Sequence, residues 1–213
     1  MIPDDIRIIS TLGKGKSGIS YKAQFQGRIV VYKQMHEEQV SYYTFAEPKI
    51  EHELKAYDIL QYQDIHIPLL LVYDKEQGYL IKEYIDGKAA TEMIVDGELD
   101  DGIFRTMLEW EERLKGKNIN IDYFPSNFVL SKDGIYYIDY ELDQYSEMWD
   151  FTNWGMYYWL NDDGFRKFIE TGEQKYITEE GTGIPVTNEA IQRERRRILD
   201  NSRLERFRSS RIR

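Results

Sequence analysis

The chain has 213 residues, 41% of them hydrophobic and 14% aromatic, which is enough to build the core of one compact domain or of two small lobes. It contains no cysteine, which excludes disulfides and cysteine-ligated metals. No run of 18 apolar residues is present, so no membrane-spanning helix is predicted. The first residues, Met1–Asp5, are acidic where a secretory signal would be basic and then apolar, and we therefore expect a cytoplasmic protein.

The net charge of -10 is unevenly divided between a body and a tail. Residues 189–213 hold nine arginines and four acidic residues, a net charge of +5, which leaves -15 on residues 1–188. An acidic body argues against a general nucleic-acid-binding face. No proline or glycine interrupts the tail, which is predicted to be helical to about residue 208. It either docks on the acidic body or binds an anionic partner such as nucleic acid or anionic lipid.

The first third of the chain predicts an antiparallel sheet. Residues 6–12, 19–25 and 29–33 have the apolar pattern of strands, and Gln26-Gly27-Arg28 signals a tight turn between the second and third. Two further strands are predicted, one over residues 67–73 and one that starts at 78 and runs into Asp86-Gly87. The segment therefore predicts a sheet of about five strands.

A glycine-rich segment, residues 13–18, lies between the first two predicted strands. Dinucleotide-binding turns and the phosphate loop of NTPases both lead into a helix, whereas here a strand follows. The context favours a loop between antiparallel strands that folds over phosphates, with contacts from Gly13, Gly15, Ser17 and Gly18. An ordinary glycine-rich hairpin is the alternative.

Lys33 lies near the end of the third predicted strand. Such a lysine commonly extends to solvent, but it could instead hold phosphates if a helix carboxylate fixed its ammonium. Residues 48–60 predict that helix, with apolar residues at a spacing near 3.6 and Pro48 near the first turn. Glu53 lies on the apolar stripe of this helix, whereas Glu51 lies further around the helix from that stripe. Glu53 is therefore the favoured partner of Lys33.

The middle of the chain carries a second group of candidate residues. A helix is predicted over residues 104–114, and Asp122 and Asn127 follow it, five positions apart. Strands 128–130 and 135–138 form a predicted hairpin that brings Asp139 back beside Asn127. Asp122 could accept a proton from a hydroxyl, while Asn127 and Asp139 offer oxygen ligands to magnesium. Alternatively, Asp122 and Asn127 are turn residues around a proline, and Asp139 caps a strand.

The chain resembles the protein kinase-like superfamily over most of residues 6–160. The resemblance rests on the order of five features, which are the glycine segment, Lys33, residues 80–87, the pair of Asp122 and Asn127, and Asp139. The resemblance is closest to the superfamily's compact branches, the RIO-type, lipopolysaccharide-core and aminoglycoside kinases. It implies a bilobal α+β fold in three parts. These are an antiparallel five-stranded N-lobe with one helix over residues 1–86, a reduced and mostly helical C-lobe over 87–188, and a basic helical tail over 189–213.

The resemblance also implies an activity. It predicts an ATP-dependent phosphotransferase, similar to a serine/threonine protein kinase, that moves the γ-phosphate of Mg-ATP to a hydroxyl. The acceptor, whether a protein, a small molecule, a sugar or a lipid, is left open. By this resemblance, Lys33 would hold the phosphates and Glu53 would orient Lys33. Glu83 and Ile85 would offer backbone groups to adenine. Asp122 would accept the proton of the hydroxyl, and Asn127 and Asp139 would bind Mg²⁺.

Several residues depart from the family's pattern. Asn120 and Ile121 stand where a histidine or histidine-arginine usually precedes the catalytic aspartate, and Lys82 replaces an apolar gatekeeper. A charge at that position is costly unless it is paired. Asp150 begins the next helical segment only eleven residues after Asp139, which leaves no room for a long activation segment. These departures motivate the alternative of a pseudokinase that serves as a nucleotide-binding or partner-binding scaffold.

Beyond that point, the pattern predicts one aromatic-rich helical run and one loop. The run covers residues 154–169, and its aromatic side chains are expected in the core. The loop covers residues 172–188, which contain three glycines and a proline.

Overall fold

A computed structural model of the chain describes residues 5–38 and 47–210, although the side chains of residues 205–210 lie outside that description. The start of the predicted acidic N-terminus and the last arginines of the tail, at 211 and 213, are also outside it. The chain divides into two compact units. The first comprises Met1–Asp86 with Tyr136–Glu141, and the second comprises Gly87–Ile135 with Leu142–Arg213.

A five-stranded antiparallel sheet forms most of the first unit, as predicted. The strands are β1 (Ile6–Lys14), β2 (Gly18–Phe25), β3 (Arg28–Met35), β4 (Leu70–Asp74) and β5 (Tyr79–Glu83). Their order across the sheet is β1-β2-β3-β5-β4, and every neighbouring pair is antiparallel. The late strand β5 therefore lies beside β3, the middle strand of the sheet, with Lys33 of β3 opposite Leu80 of β5.

Local sequence explains the β2–β3 turn and the helix that follows the sheet's first three strands. Gln26 and Gly27 both have positive φ, 48° and 76°, as the tight two-residue turn of a hairpin requires. Helix α1 (Lys49–Leu60) begins directly after Pro48, a residue suited to a helix start. One face of α1 is buried, and that face includes Glu53, which is only 2% exposed.

The second unit is mostly helical. Its helices are α2 (Ala90–Asp96), α3 (Asp101–Lys115), α4 (Met156–Trp159), α5 (Asp162–Thr171) and α6 (Glu189–Ser210). Short 3-10 turns occur at Pro125–Asn127, Glu147–Trp149 and Gln174–Tyr176, and one π-helical turn at Phe151–Gly155 leads into α4. A core of large aromatic side chains, among them Tyr123, Phe128, Phe151 and Trp159, is almost fully buried.

Short strands complete the architecture. Strands β6 (Lys88–Ala89), β8 (Phe128–Ser131) and β9 (Gly134–Tyr137) form a three-stranded sheet in the order β6-β8-β9. Strands β7 (Ile119–Asn120) and β10 (Asp143–Gln144) pair as an antiparallel ribbon. The chain is thus an α+β protein. Within the residues that the structure describes, no helix is long and apolar enough to cross a membrane.

The predicted helical run over residues 154–169 is wrong in one respect, because the structure breaks it at Leu160 and Asn161. The side chain of Asn161 accepts a hydrogen bond of 3.0 Å from the backbone of Gly164 and so caps α5. The predicted loop over residues 172–188 contains a 3-10 turn and a single bridge between Thr178 and Pro185.

Candidate active site

Lys33 is buried in the first unit between two carboxylates. The residue is 5% exposed, and its Nζ lies 2.5 Å from Glu53 Oε1 and 3.1 Å from Asp139 Oδ1. The predicted pairing of Lys33 with Glu53 is therefore present. Glu51, the less favoured candidate, instead pairs with Lys75 at 2.9 Å. The structure thus brings three of the predicted site residues together inside one unit.

The charges of this cluster fix one another. Burial alone would lower the pKa of Lys33, but the negative charges of Asp139 and Glu53 outweigh burial and raise it above its ordinary value. Burial alone would raise the pKa of Asp139, but Lys33 and then Lys82 outweigh it and lower the pKa to about 2. At neutral pH, Lys33 is therefore an ammonium and Asp139 a carboxylate.

The segment that carries Asp139 is anchored within the first unit. Tyr140 donates its backbone N–H to Asp139 Oδ1 at 3.0 Å and its hydroxyl to the carbonyl oxygen of Pro68 at 2.6 Å. Tyr137 donates its backbone N–H to the carbonyl oxygen of His66 at 2.9 Å. These bonds hold both sides of Asp139, so its carboxylate is positioned by neighbouring backbone and not by its own rotamer alone.

Lys82, which replaces the apolar gatekeeper of the family's pattern, is buried but its ammonium group has two contacts. The residue is 4% exposed, its Nζ donates to the carbonyl oxygen of Ile138, and it lies 4.4 Å from the centre of the Tyr140 ring. A carbonyl and an aromatic face both attract an ammonium. Burial and the positive charge of Lys33 nevertheless lower the pKa of Lys82 to about 8.

The glycines of the predicted phosphate loop have different roles. A Cβ added to Gly13 or Gly15 would meet nothing within 4 Å, so their backbone faces open space. A Cβ added to Gly18 would lie 2.5 Å from the carbonyl oxygen of Gln34. Gly18 is therefore required by the close approach of strand β3, which explains it without a ligand.

Ser17 and Lys16 contact acidic residues of the first unit. Ser17, predicted to contact a cofactor, is 7% exposed and donates its hydroxyl to Glu53 Oε1 at 2.6 Å. Lys16 forms an ion pair with Glu141. Sequence reasoning missed both of these contacts. The available signals were a lysine in the middle of the glycine segment and a glutamate two residues after Asp139.

The predicted adenine contacts lie at the end of strand β5. The backbone N–H of Glu83 donates to the carbonyl oxygen of Leu69 at 2.9 Å, and the Glu83 carboxylate accepts from Leu69 N at 3.2 Å. An adenine contact from Glu83 would therefore have to use its carbonyl oxygen. Ile85 is half-buried in residues 84–86, which follow β5 without regular secondary structure and end this part of the first unit.

Asp122 and Asn127 share one turn of the second unit. Asp122 Oδ1 accepts from Phe124 N at 3.0 Å, and Asn127 N donates to Phe124 O at 3.0 Å. The side-chain nitrogen of Asn127 donates to the carbonyl oxygen of Asp122 at 3.3 Å. These bonds are those of a well-formed turn. They leave out the side-chain oxygen of Asn127, which is the atom that a magnesium ion would need.

Aromatic packing holds this turn in place. Tyr123 is fully buried, its ring stacks on Phe128 with centroids 6.4 Å apart, and its carbonyl oxygen accepts from Trp159 Nε1 at 2.9 Å. A Cβ added to Gly155 would lie 2.6 Å from Tyr123 Cβ, so the turn can sit this close to the π-helical segment only because residue 155 is glycine. The sequence offered no period or motif that singled out Gly155.

A buried carboxyl pair lies near the same turn. Asp150 accepts from Asn153 N at 2.7 Å and from the Tyr145 hydroxyl at 2.9 Å. Glu111 accepts from the Thr152 hydroxyl at 2.6 Å, and burial, together with the charge of Asp150, raises its pKa to about 7 although the Thr152 bonds oppose the rise. Asn120 donates to the carbonyl oxygen of Trp149 at 2.9 Å, which gives this departure from the family's pattern a structural role.

The basic tail is partly docked. Helix α6 buries Ile191 and Ile198 and packs against α3 and α4 of the second unit. Arg197 forms two hydrogen bonds, of 2.8 and 2.6 Å, to the carboxylate of Asp101, and Arg195 donates to the carbonyl oxygen of Thr152 at 2.8 Å. The first half of the tail thus contacts the chain's own body.

No protein-family model matches the chain, and no match is found among curated proteins. Among residues 5–38 and 47–210, no group of three or more His, Cys, Asp or Glu side chains is arranged to hold a metal ion. A divalent ion bound here would therefore need ligands from a substrate or water as well as from the protein.

Proposed function

We propose that the protein is an ATP-dependent phosphotransferase with a bilobal, protein kinase-like fold. The observation that carries this proposal is the burial of Lys33 between Glu53, at 2.5 Å, and Asp139, at 3.1 Å. Protein kinases hold the nucleotide phosphates with a strand lysine that pairs with a helix glutamate, and they hold magnesium with an aspartate. Here the lysine lies on a strand and the glutamate on a helix, and the aspartate follows the hairpin strand β9.

Asp139 is a suitable ligand for Mg²⁺, because its carboxylate stays ionised at neutral pH. Magnesium is usually bound by one or two protein oxygen ligands together with substrate phosphates and water. When bound, it neutralises charge that develops on the phosphates. Asn127 is the proposed second ligand, on the basis of its spacing from Asp122 and of a side-chain oxygen that takes no part in the turn's hydrogen bonds.

The remaining residues have distinct roles in the proposed reaction. Lys33 holds the phosphates, and Gly13 and Gly15 leave room for them beside the backbone. The oxygen of the acceptor hydroxyl attacks the γ-phosphorus, the bond to the β–γ bridging oxygen breaks, and ADP leaves. Asp122 accepts the proton of the hydroxyl. The adenine contacts are the Glu83 carbonyl oxygen and the backbone of Ile85.

The acceptor class follows from the short segment after Asp139. Only eleven residues separate Asp139 from Asp150, too few for the long segment on which protein kinases bind a peptide substrate. The proposed acceptors therefore include the hydroxyl of a small molecule, a sugar or a lipid as well as that of a protein. Intact-mass measurement after incubation with Mg-ATP would detect autophosphorylation and so favour a protein acceptor.

Asp139→Ala tests the proposal by ATP turnover. The variant should lose turnover to background and keep its fold, because it removes the proposed metal ligand and leaves the buried Lys33–Glu53 pair in place. The matched control is Asp133→Ala, in an exposed hairpin turn, which should keep wild-type turnover. Unchanged turnover in a purified and folded Asp139→Ala protein would reject the assignment.

A second candidate function is favoured by the contacts of the glycine segment. Ser17 bonds to Glu53, one of the two carboxylates that enclose Lys33, and Lys16 pairs with Glu141. The glycine segment is therefore held by acidic side chains of the first unit. A scaffold pseudokinase would retain this closed arrangement. In a thermal melt, Mg-ATP would either raise the melting temperature of such a scaffold or leave it unchanged. In both cases the protein would release no phosphate from ATP with a broad panel of hydroxyl acceptors.

A further inference from the structure

Four charged side chains form one cluster in the first unit, and three of them are buried. Lys33, Lys82 and Glu53 are 5%, 4% and 2% exposed, and the side chain of Asp139 is 28% exposed. The two ammonium groups balance the two carboxylates, so the cluster has no net charge when all four are ionised. With an apolar residue in place of Lys82, the same cluster would carry a charge of -1.

We propose that Lys82 is a positioning residue that tunes the site toward phosphate and away from the divalent cation, and that also anchors the segment around Asp139. This inference rests on the proposed function, because it takes Asp139 as the metal ligand and Lys33 as the phosphate ligand. It assigns a role to the one charged residue of the cluster that the reaction itself does not use.

The contacts of Lys82 place its positive charge close to Asp139, the proposed metal ligand, and none of these contacts neutralises that positive charge. Its ammonium donates to the carbonyl oxygen of Ile138 and lies 4.4 Å from the centre of the Tyr140 ring, so it touches the residues on both sides of Asp139. Neither partner carries a formal charge. The positive charge therefore remains to act on whatever binds at Asp139, and buried charges are screened less than exposed ones.

The sign of that action differs for the two components of Mg-ATP. A second ammonium repels Mg²⁺ at Asp139, because both are cations in a poorly screened site. The same ammonium attracts the triphosphate, which carries several negative charges. Lys82 should therefore reduce the amount by which the metal improves nucleotide binding, compared with a site that has an apolar residue at this position.

A purely structural role would give a different result. If Lys82 only anchored residues 138–140, its removal would loosen the site and weaken the metal-free and the metal-bound nucleotide together. The ratio of the two dissociation constants, Kd without metal divided by Kd with metal, would then stay the same or fall. The ratio separates the two roles even when both affinities change.

The experiment measures this ratio by calorimetry at pH 6.5, using a non-hydrolysable ATP analogue in EDTA and then the same analogue with excess Mn²⁺. Lys82→Met removes the charge and keeps the length of the side chain, and Lys82→Gln also keeps a hydrogen-bond donor. The ratio should rise about tenfold or more in both variants, since each removes one full charge from a buried site. Lys75→Met, which removes an exposed lysine from the same unit, is the matched control and should leave the ratio unchanged.

Lys82→Arg keeps the charge and should leave the ratio within about twofold of wild type. It provides the test if the neutral variants fail to fold by circular dichroism, because a tenfold rise in the ratio of Lys82→Arg would also overturn the inference. An unchanged or lower ratio in folded Lys82→Met would overturn it while leaving the proposed function standing. If the wild-type protein bound neither form of the analogue, the proposed function would fail, and this inference with it.

Discussion

The two units hold their candidate site residues by different forces. In the first unit, Lys33, Glu53 and Asp139 are fixed by one another's charges. In the second, Asp122 and Asn127 are fixed by backbone hydrogen bonds and by the packing of a buried aromatic neighbour. A substitution of Lys33 or Glu53 therefore changes the stability of the fold and the electrostatics of the site together. In the second unit, a substitution can displace a functional turn without altering any charge.

The largest expected effect comes from Lys33→Met, which removes the cation between two carboxylates. Breaking a buried ion pair by removing one partner costs about 3–5 kcal/mol of folding free energy. Turnover should also fall on the order of 100-fold or more, because the phosphates lose their ammonium contact. Urea unfolding and ATP turnover measure the two effects separately.

The double variant Lys33→Met with Glu53→Leu is the control for this effect. Replacing both members of the pair by apolar residues of similar size should restore most of the stability and none of the turnover. If the double variant turned over ATP at the wild-type rate, the proposed role of the ion pair in the first unit would be wrong.

Gly155→Ala tests the second unit, where packing should dominate. The new Cβ would lie 2.6 Å from Tyr123 Cβ, so the turn that carries Asp122 and Asn127 has to shift. Overpacking of this kind costs about 1–3 kcal/mol, and we expect a lower turnover as well. The stability change is measured by urea unfolding.

Gly116→Ala is the matched control for Gly155→Ala. A Cβ at Gly116 would meet its nearest atom at 3.4 Å, and its φ of -61° is normal for any residue. We expect stability within about 0.5 kcal/mol of wild type, as for most surface substitutions. A Gly155→Ala protein as stable and as active as Gly116→Ala would show that the turn does not depend on this close approach.

A smaller effect is expected from pH, through the buried Glu111. Its pKa in the folded protein is raised to about 7 from an ordinary value of 4.5, so the folded state binds the proton more tightly than the unfolded state. The resulting stabilisation is fully present below pH 4.5 and is lost as the pH rises through about 7. In Glu111→Gln, the change in the free energy of unfolding over this pH range should be smaller than in wild type by roughly 1–2 kcal/mol.

Urea unfolding of wild type and Glu111→Gln between pH 5 and pH 8 checks this prediction. Glu112→Gln changes the adjacent, exposed carboxylate and should keep the wild-type profile. Parallel profiles for wild type and Glu111→Gln would mean that Glu111 is ionised in the folded protein over the whole range, and that the pair with Asp150 is not a source of pH sensitivity.

The parts of this account that depend on local pattern could be predicted from the sequence. Short apolar runs bounded by turn residues predicted the five strands of the first sheet, and the 3.6-residue spacing of helix α1 was enough to select Glu53 over Glu51 as the partner of Lys33. Each of these signals lies within a single element and its adjoining turn. The prediction of one helix over residues 154–169 failed because Asn161 ends one segment by capping the next.

The contacts that could not be predicted join distant parts of the chain. Lys82 finds its carbonyl partner at Ile138, 56 residues away, and Gly155 is required by Tyr123 in a different element. Ser17 was predicted as a ligand contact, but in the folded unit it meets the buried carboxylate of Glu53. None of these pairings leaves a periodic signal, because each is set only when separate elements pack.

The most direct test of the central claim is a crystal structure of the protein with Mn²⁺ and a non-hydrolysable ATP analogue, in which anomalous scattering locates the metal. We expect a manganese ion bonded to the Asp139 carboxylate and a phosphate oxygen in contact with the Lys33 ammonium. A nucleotide bound elsewhere, with no metal at Asp139 and with Lys33 still enclosed by Glu53 and Asp139 alone, would contradict the proposed function.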